Sequence, residues 1–363
     1  MRKKLTIIIN ALQGGGAERV AVTVANYLVN NGYDINFIVM NLYNSVYQDQ
    51  LDKKINLVNL KVKHARGSFF AVRNYLKNYR PQKILVFNHE LAVVLVVLRK
   101  LIHYNFYLIA RNINTLSENI KFEQSIWHKY FKDIMIRKLY NKVDKIIAQS
   151  AGMKNDLLKY YNFNENKIII INNPLPSEFS LILKKTPIRS HKNKELLFVG
   201  RIEKQKGLKY LLDAMSIVIK NEPQVVLRIL GEGSLKNKLI NYASSINISD
   251  HVIFDTFKKE IIPYYQNARL TVLPSLFEGF PNVLVESIAC GTPVIAFDCK
   301  SGPSEIIQDG VNGFLVEYLN TKQLAEKIID GINHEWNYYQ IQSTALQYET
   351  ENILTKYMDV ILN

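Results

Sequence analysis

Two short stretches of the chain concentrate residue types suited to phosphate and hydroxyl chemistry. In RIEKQKG, residues 201–207, Arg201 and Lys206 stand five apart, just past the apolar run LLFV and closed by Gly207. A guanidinium grips oxyanions as a fork and an ammonium adds a point charge, so the two together suit a diphosphate. The second stretch, LPSLFEGFPNVLVES at 273–287, sets Glu278 and Glu286 eight apart around Gly279-Phe280-Pro281. Proline in the first helical turn sacrifices no hydrogen bond. NVLVESIAC therefore reads as a helix whose opening N–H groups and positive dipole end make an anion site. Glu286 is expected about two turns into that helix. One long ligand lying along the turn would account for the spacing, with hydroxyls at Glu278, phosphates at the helix start and hydroxyls again at Glu286. Taken singly the signals are ordinary: a loop Arg and Lys are usually solvated, and a helical Glu is usually a surface charge.

The elements that must position these groups read as strand then helix, repeated. LTIIIN, INFIVM, KILVFN, FYLIAR and KIIAQS are apolar runs of strand length in the first half, and ELLFVG, VVLRILGEG, HVIFDT, RLTVLPS and TPVIAFD follow in the second. Between them lie segments such as GAERVAVTVANYLVNNG, with apolar residues at three- and four-residue spacing and a stop at Gly32. Continuous apolar strands alternating with helices specify parallel sheets covered on both faces. The expected architecture is α/β, two Rossmann-like doubly wound domains with a cleft facing the carboxyl ends of both sheets, where such folds bind ligands. The expected boundaries are 1–188 and 189–345, with a C-terminal helix at about 345–363 able to pack back on the first domain. KKTPIRSHKNK, 184–194, is polar and aperiodic and reads as the linker.

Composition narrows the class. At 363 residues, 48% apolar and 21% charged, the chain is globular and long enough for two cores. Cys290 and Cys299 lack metal-ligand spacing and suggest a reducing compartment. The basic then apolar N-terminus mimics a leader peptide, but its apolar run, Leu5 to Ile9, enters a glycine loop and reads as a buried strand. LAVVLVVL at 91–98 is too short to span a bilayer. Charge is unevenly divided: residues 1–190 hold 29 Lys and Arg against 12 Asp and Glu, and residues 191–363 hold 17 against 20. A basic half can face nucleic acid, an anionic membrane surface or only solvent. Confinement to one half, without a nucleic-acid-binding module, weighs against nucleic acid. KFEQSIWHKYFKDIMIRKLYNK, 121–142, mixes Trp127, Tyr130 and Phe131 with Lys129, Lys132, Arg137 and Lys138. It reads equally as a basic amphipathic helix on a membrane or as a core-packing helix with a charged outer face.

The whole run PSLFEGFPNVLVESIACGTPVIAFDCKSGPSEII resembles the donor-binding signature of family 4 glycosyltransferases, retaining enzymes of the GT-B fold. NALQGGGAERV, INNP at 171–174, LLFVGRIEKQKG, LRILGEG and DGVNGFLV extend the resemblance over most of the chain in the family's order.

The resemblance implies a transferase that moves a hexosyl or N-acetylhexosaminyl group from a UDP-sugar to a saccharide or polyprenyl-diphosphate-linked acceptor in bacterial surface-polysaccharide assembly. Arg201 and Lys206 match the pair that holds the donor diphosphate, and Glu278 the acidic residue on the donor sugar. Gly279, Phe280, Pro281 and Asn282 would lie along sugar and phosphate, and Glu286 would take the ribose hydroxyls. Gly15 and Gly16 match the glycine loop lining the cleft from the first domain. Many members carry a histidine after a first-domain strand; here FYLIA runs into Arg111-Asn112, so Arg111 and Asn112 are read as cleft residues. His89, after KILVFN, also reaches a strand end, although a lone histidine there is more often a structural hydrogen-bonder. With no Asp-x-Asp cluster at a strand end, activity is expected without a metal or other cofactor, the protein's cations standing in for Mg²⁺. The expected location is cytoplasmic, peripheral on the inner face of the membrane. A nucleotide-sugar epimerase or a phosphorylase of the same fold, and a nucleic-acid-binding protein, are the competing readings.

Overall fold

Each of the ten apolar runs read as strands becomes one, whereas LAVVLVVL at 91–98 is helical. The computed structural model describes residues 3–62, 65–121, 126–185, 194–256, 258 and 260–362. The chain divides into two compact units, Met1–Pro174 with Ile353–Asn363, and Leu175–Asn352.

The first unit runs β1 (Lys3–Ile9), α1 (Gly16–Asn30), β2 (Tyr33–Val39), β3 (Asn56–Asn59), α2 (Ala65–Tyr79), β4 (Lys83–Val86), α3 (His89–Leu101), β5 (Tyr107–Arg111), α4 (Leu116–Lys121), α5 (Ile126–Leu139), β6 (Lys145–Ala148), α6 (Ala151–Tyr161) and β7 (Ile168–Ile170). Its strands are all parallel in the order β3-β2-β1-β4-β5-β6-β7. β1 shows why a leader-like segment is a central strand. Leu5, Ile7 and Ile9 enter one core with Val20, Leu28 and Phe37, while Ile8 enters the other with Ile84, Val96 and Leu108. Alternate side chains serve opposite faces, so a strand buried on both is predominantly apolar, with Thr6 the polar exception in β1.

The second unit runs α7 (Ser177–Leu183), β8 (Glu195–Val199), α8 (Leu208–Asn221), β9 (Val226–Leu230), α9 (Lys236–Ser245), β10 (Val252–Asp255), α10 (Ile262–Asn267), β11 (Leu270–Leu273), α11 (Asn282–Ala289), β12 (Val294–Phe297), α12 (Pro303–Ile306), β13 (Gly313–Val316), α13 (Thr321–Asn333) and α14 (Tyr338–Ser343). Its parallel order is β10-β9-β8-β11-β12-β13. A last helix, α15 (Thr350–Leu362), begins in this unit and from Ile353 belongs to the first. There Ile353, Leu354, Tyr357 and Ile361 are buried in the core behind β1.

The unit boundary falls at Pro174/Leu175, earlier than the expected 188. The Leu175 N–H donates to the Tyr348 carbonyl at 3.0 Å, its carbonyl accepts from Thr350 Oγ1 at 2.6 Å, and Phe179 is wholly buried beside Tyr265. These contacts tie α7 to the second unit. Most of the expected linker, residues 186–193, lies outside the described residues. In the 121–142 segment, residues 122–125 are likewise outside them. Of the rest, Ile136 is buried and Met135 packs on the core, whereas Tyr130 is 67% exposed. No helix among the described residues is long and apolar enough to cross a membrane.

Candidate active site

In the second sheet the strand order reverses between β8 and β11, so the loops leaving these two neighbours part and open a crevice beyond their carboxyl ends. RIEKQKG leaves β8 and PSLFEGFP leaves β11, and the two stretches meet there. Lys206 Nζ lies 2.6 Å from Glu278 Oε1, with only 14% of the lysine and 9% of the glutamate side chain exposed. Gln205 laces the loops together: its carbonyl accepts from the Leu276 N–H at 2.8 Å and its amide donates to the Phe277 carbonyl at 2.9 Å. Arg201 stays exposed, touching Gln205 Oε1 through Nη2 at a long 3.4 Å.

Gly207 permits this closure. Its φ of +61° is left-handed, and a Cβ there would stand 2.0 Å from the Pro274 carbonyl oxygen. The other side of the loop is pinned by Glu203, which accepts from the Ser234 N–H and hydroxyl, both at 2.7 Å. These two bonds hold the Glu203 carboxyl below its usual range near 4.5. A depressed folded-state pKa means the lock is fully formed above the ordinary range and is lost as pH falls through the lowered value. The stability that this lock contributes is therefore expected to stay flat on acidification to about pH 4.5 and to fall below it. Ser234→Ala, which removes one of the two donors, should move that fall to higher pH in fluorescence or calorimetric unfolding.

Pro281 ends the second loop immediately before α11, and Asn282 opens the helix. The turn is braced from behind: Ser301 Oγ donates to the Gly279 carbonyl at 3.0 Å, and Gly302, at φ +100°, passes so close that a Cβ would lie 2.5 Å from Pro281 Cδ. The Phe280 ring is buried edge-on against Tyr348, whose phenol is pushed up to about 12 by burial, with Glu305 adding to the effect. Cys299 is buried behind Glu278; burial first, and then that carboxylate, push its thiol up. Glu286 is the fifth residue of α11, little more than one turn in rather than the expected two, because four residues from Asn282 span only about one turn at 3.6 residues per turn. It is 4% exposed, and its Oε2 accepts from the Tyr265 hydroxyl at 3.0 Å. Tyr265 in turn is fixed by Thr292 Oγ1, which donates to its carbonyl at 2.6 Å.

Tyr265→Phe removes that hydroxyl and nothing else. If Glu286 carries nucleotide hydroxyls, the variant is expected to bind UDP at least about tenfold more weakly, since a hydrogen bond to a charged group contributes about 1.5–3 kcal/mol. The effect should fall on KM rather than kcat, and an unchanged KM would remove Glu286 from the nucleotide site.

The first unit has the same topological device, its order reversing between β1 and β4. The glycine loop follows β1, and His89 follows β4. Gly15 and Gly16 are exposed at the start of α1, and the Gly14 and Gly15 N–H groups donate to Glu18 Oε2 at 2.8 and 3.1 Å. His89 is half-buried on the first turn of α3, edge-on to Tyr140. Arg111 and Asn112 are not the open residues expected of them. Arg111 is wholly buried: Nε donates to the Tyr357 hydroxyl at 2.8 Å, Nη2 to Asn173 Oδ1, and the guanidinium lies 5.1 Å from the Phe87 ring centroid. Asn112, 1% exposed, accepts from the Tyr140 hydroxyl and from Gln149 Nε2. Both serve the interior because α15 and the 171–174 segment cover the end of β5.

Gln205, Tyr265 and Ser301 escape the sequence reading. Each acts on a neighbour distant in sequence through one polar atom, and neither spacing nor composition signals that.

Comparison with known proteins gives the class. Over 100% of both chains, the fold superimposes with a TM-score of 0.80 on a structure of Anabaena Alr3699/HepE in complex with UDP and glucose, at 17% identity. It superimposes with a TM-score of 0.75 on the apo lipopolysaccharide outer core galactosyltransferase WaaB, at 21% identity over 99% of each. The architecture is GT-B. Family models for Glycosyltransferase Family 4 and Glycosyl transferases group 1 match residues 14–179 and 182–347. The chain belongs to the family 4 glycosyltransferases and is an enzyme of that class. It is 27% identical to an uncharacterized glycosyltransferase of Haemophilus influenzae, covering 99% of this chain and 100% of that one. The same identity, over 99% of each, relates it to the amylovoran biosynthesis glycosyltransferase AmsD of Erwinia amylovora. An N-acetylgalactosamine-N,N'-diacetylbacillosaminyl-diphospho-undecaprenol 4-alpha-N-acetylgalactosaminyltransferase of Campylobacter jejuni is also 27% identical, over 89% of this chain and 88% of its own.

Proposed function

We propose that the enzyme moves a hexosyl or N-acetylhexosaminyl group from a UDP-sugar to a lipid-linked saccharide acceptor, in bacterial polysaccharide or glycan assembly. The observation that carries this reading is the 2.6 Å pairing of Lys206 with Glu278 at the switch point between β8 and β11, with Arg201 on the same loop and the start of α11 beside it. A cation set for the diphosphate and a carboxylate for sugar hydroxyls then lie within one side-chain length. UDP in a complex of the same fold, and a diphospho-undecaprenol in a relative's name, support the donor and acceptor classes.

In the proposed reaction the bond between the anomeric carbon and the diphosphate oxygen breaks. Positive charge develops on the sugar, as in glycoside hydrolysis, and negative charge on the diphosphate. Arg201, Lys206 and the α11 dipole stabilise that negative charge without a metal. The acceptor hydroxyl enters on the face the diphosphate leaves, passing its proton to the departing oxygen, and the anomeric configuration is retained. The acceptor is assigned to the first unit, at His89. The excess of basic residues in 1–190 supports peripheral association with the cytoplasmic face of the membrane.

The test is UDP release in the presence of EDTA, screening UDP-GalNAc, UDP-GlcNAc, UDP-Gal and UDP-Glc against a membrane lipid extract, with Glu278→Ala and Arg201→Ala in parallel. Acceptor-dependent release from one donor, lost in both variants, is the expected result. Conversion of a UDP-sugar without any acceptor would instead make the enzyme an epimerase.

A further inference from the structure

The chain passes between its two units twice, at Pro174/Leu175 and at Asn352/Ile353. On the second-unit side the two passages are bonded to each other. The Leu175 N–H donates to the Tyr348 carbonyl at 3.0 Å, the Leu175 carbonyl accepts from Thr350 Oγ1 at 2.6 Å, and the Ser180 and Thr350 hydroxyls meet at 2.8 Å. On the first-unit side both passages reach the same side chain. Arg111 Nη2 donates to Oδ1 of Asn173, just before the first passage, and its Nε donates at 2.8 Å to the hydroxyl of Tyr357, about one helical turn past the second. Asn173 is oriented for this: its Nδ2 donates to Gln149 Oε1 at 2.9 Å, which turns its oxygen to the guanidinium. No counter-charge answers that cation. Arg111 is wholly buried and makes no ion pair among the described residues, its Nη1 has no hydrogen-bond partner there, and the Phe87 ring centroid lies 5.1 Å away. For stability alone, an apolar side chain of similar volume often serves as well as a buried charge or better. What a guanidinium alone offers is several N–H donors fixed in one plane, able to hold two segments at once.

We infer that Arg111 is a positioning residue of the transferase: one guanidinium clamps both passages to the end of β5 and so governs the rate of transfer without touching substrate. The donor residues lie in the second unit and the acceptor is assigned to the first, so transfer depends on how firmly the joining segments are held. A misplacement of about 1 Å at a reacting centre costs roughly 10²-fold in rate. The effect on rate rests on the transferase reading; the clamp itself does not.

Hydrogen exchange read by mass spectrometry on the full chain without ligand tests the clamp. Arg111→Met removes both arms and is expected to speed exchange about tenfold or more in 171–175 and in 353–358 together. Tyr357→Phe deletes one hydroxyl on α15, yet it should also speed exchange in 171–175, about threefold or more, because the guanidinium is shared. Lys83→Met is the control: Lys83 Nζ donates to the Ile361 carbonyl near the end of α15 without touching Arg111, so its loss should act on α15 alone. Unchanged exchange in 171–175 for Tyr357→Phe, or equal acceleration there by Lys83→Met, overturns the clamp. Tyr357→Phe keeps the test decisive where Arg111→Met fails to fold. In the UDP-release assay, Arg111→Met and Tyr357→Phe should lower kcat about tenfold, while UDP affinity, a property of the second unit, changes by less than about twofold. A wild-type kcat in Tyr357→Phe despite faster exchange overturns the positioning role. No release by the wild-type enzyme would overturn the transferase reading and the rate effect with it, whereas the clamp stands or falls on exchange alone.

Discussion

Lys206→Ala is expected to lower acceptor-dependent UDP release by roughly 10²–10³-fold, the usual effect of removing one preorganised donor from a developing negative charge. The loss should appear in kcat as well as kcat/KM, because the diphosphate carries more charge while leaving than while bound. The same substitution has a second effect that a solvated lysine would not produce. Glu278 is 7% exposed and loses the Lys206 ammonium at 2.6 Å, so its buried carboxylate is left less well compensated. Breaking a buried pair from one side typically costs about 3–5 kcal/mol. Thermal unfolding of Lys206→Ala should therefore start well below that of the wild type. The double variant Lys206→Ala/Glu278→Gln separates the two roles: it should recover much of the stability, because that charge is removed, and none of the rate. Recovery of rate would mean that Lys206 serves only to neutralise Glu278.

Gly207→Ala should abolish UDP binding and destabilise the second unit, although it adds a single methyl group outside the chemistry. Two effects combine. The φ of +61° strains any L side chain, and the new Cβ would meet the Pro274 carbonyl oxygen at 2.0 Å, backbone that cannot swing aside. Relief requires the β8 and β11 loops to separate, which breaks the Gln205 hydrogen bonds at 2.8 and 2.9 Å and parts Lys206 from Glu278. Overpacking of this kind costs about 1–3 kcal/mol, and the strained φ adds to it. UDP titration by calorimetry together with a thermal melt gives the result directly. A variant that binds UDP like the wild type would show that the two loops need not meet to hold the donor.

The interior strands of both sheets were legible in the sequence because each must be apolar on both faces. Leu5 to Ile9, Ile84 to Val86 and Leu270 to Leu273 are buried and apolar but for Thr6 and Thr271, the latter hydrogen-bonded to the Ser287 hydroxyl. β3, β7 and β13 were not read, and each is an edge strand with one neighbour. Asn56 and Asn59 flank only two apolar residues in β3, a pattern indistinguishable from a loop until β2 is beside it. Arg201, Lys206, Glu278 and Glu286 could be named because charged residues at strand ends are conspicuous against apolar runs.

The sequence by itself determined the alternation of strand and helix, the two-unit architecture and the stretches that carry the candidate chemistry. Tertiary structure alone decided that Lys206 reaches Glu278 across 72 residues, that Tyr265 fixes Glu286, and that Arg111 turns inward to Tyr357, 246 residues away. The division has a physical basis. Burial of a strand is a property of consecutive residues and leaves a periodic trace, whereas a polar contact between distant segments depends on register and loop closure, which no local pattern records.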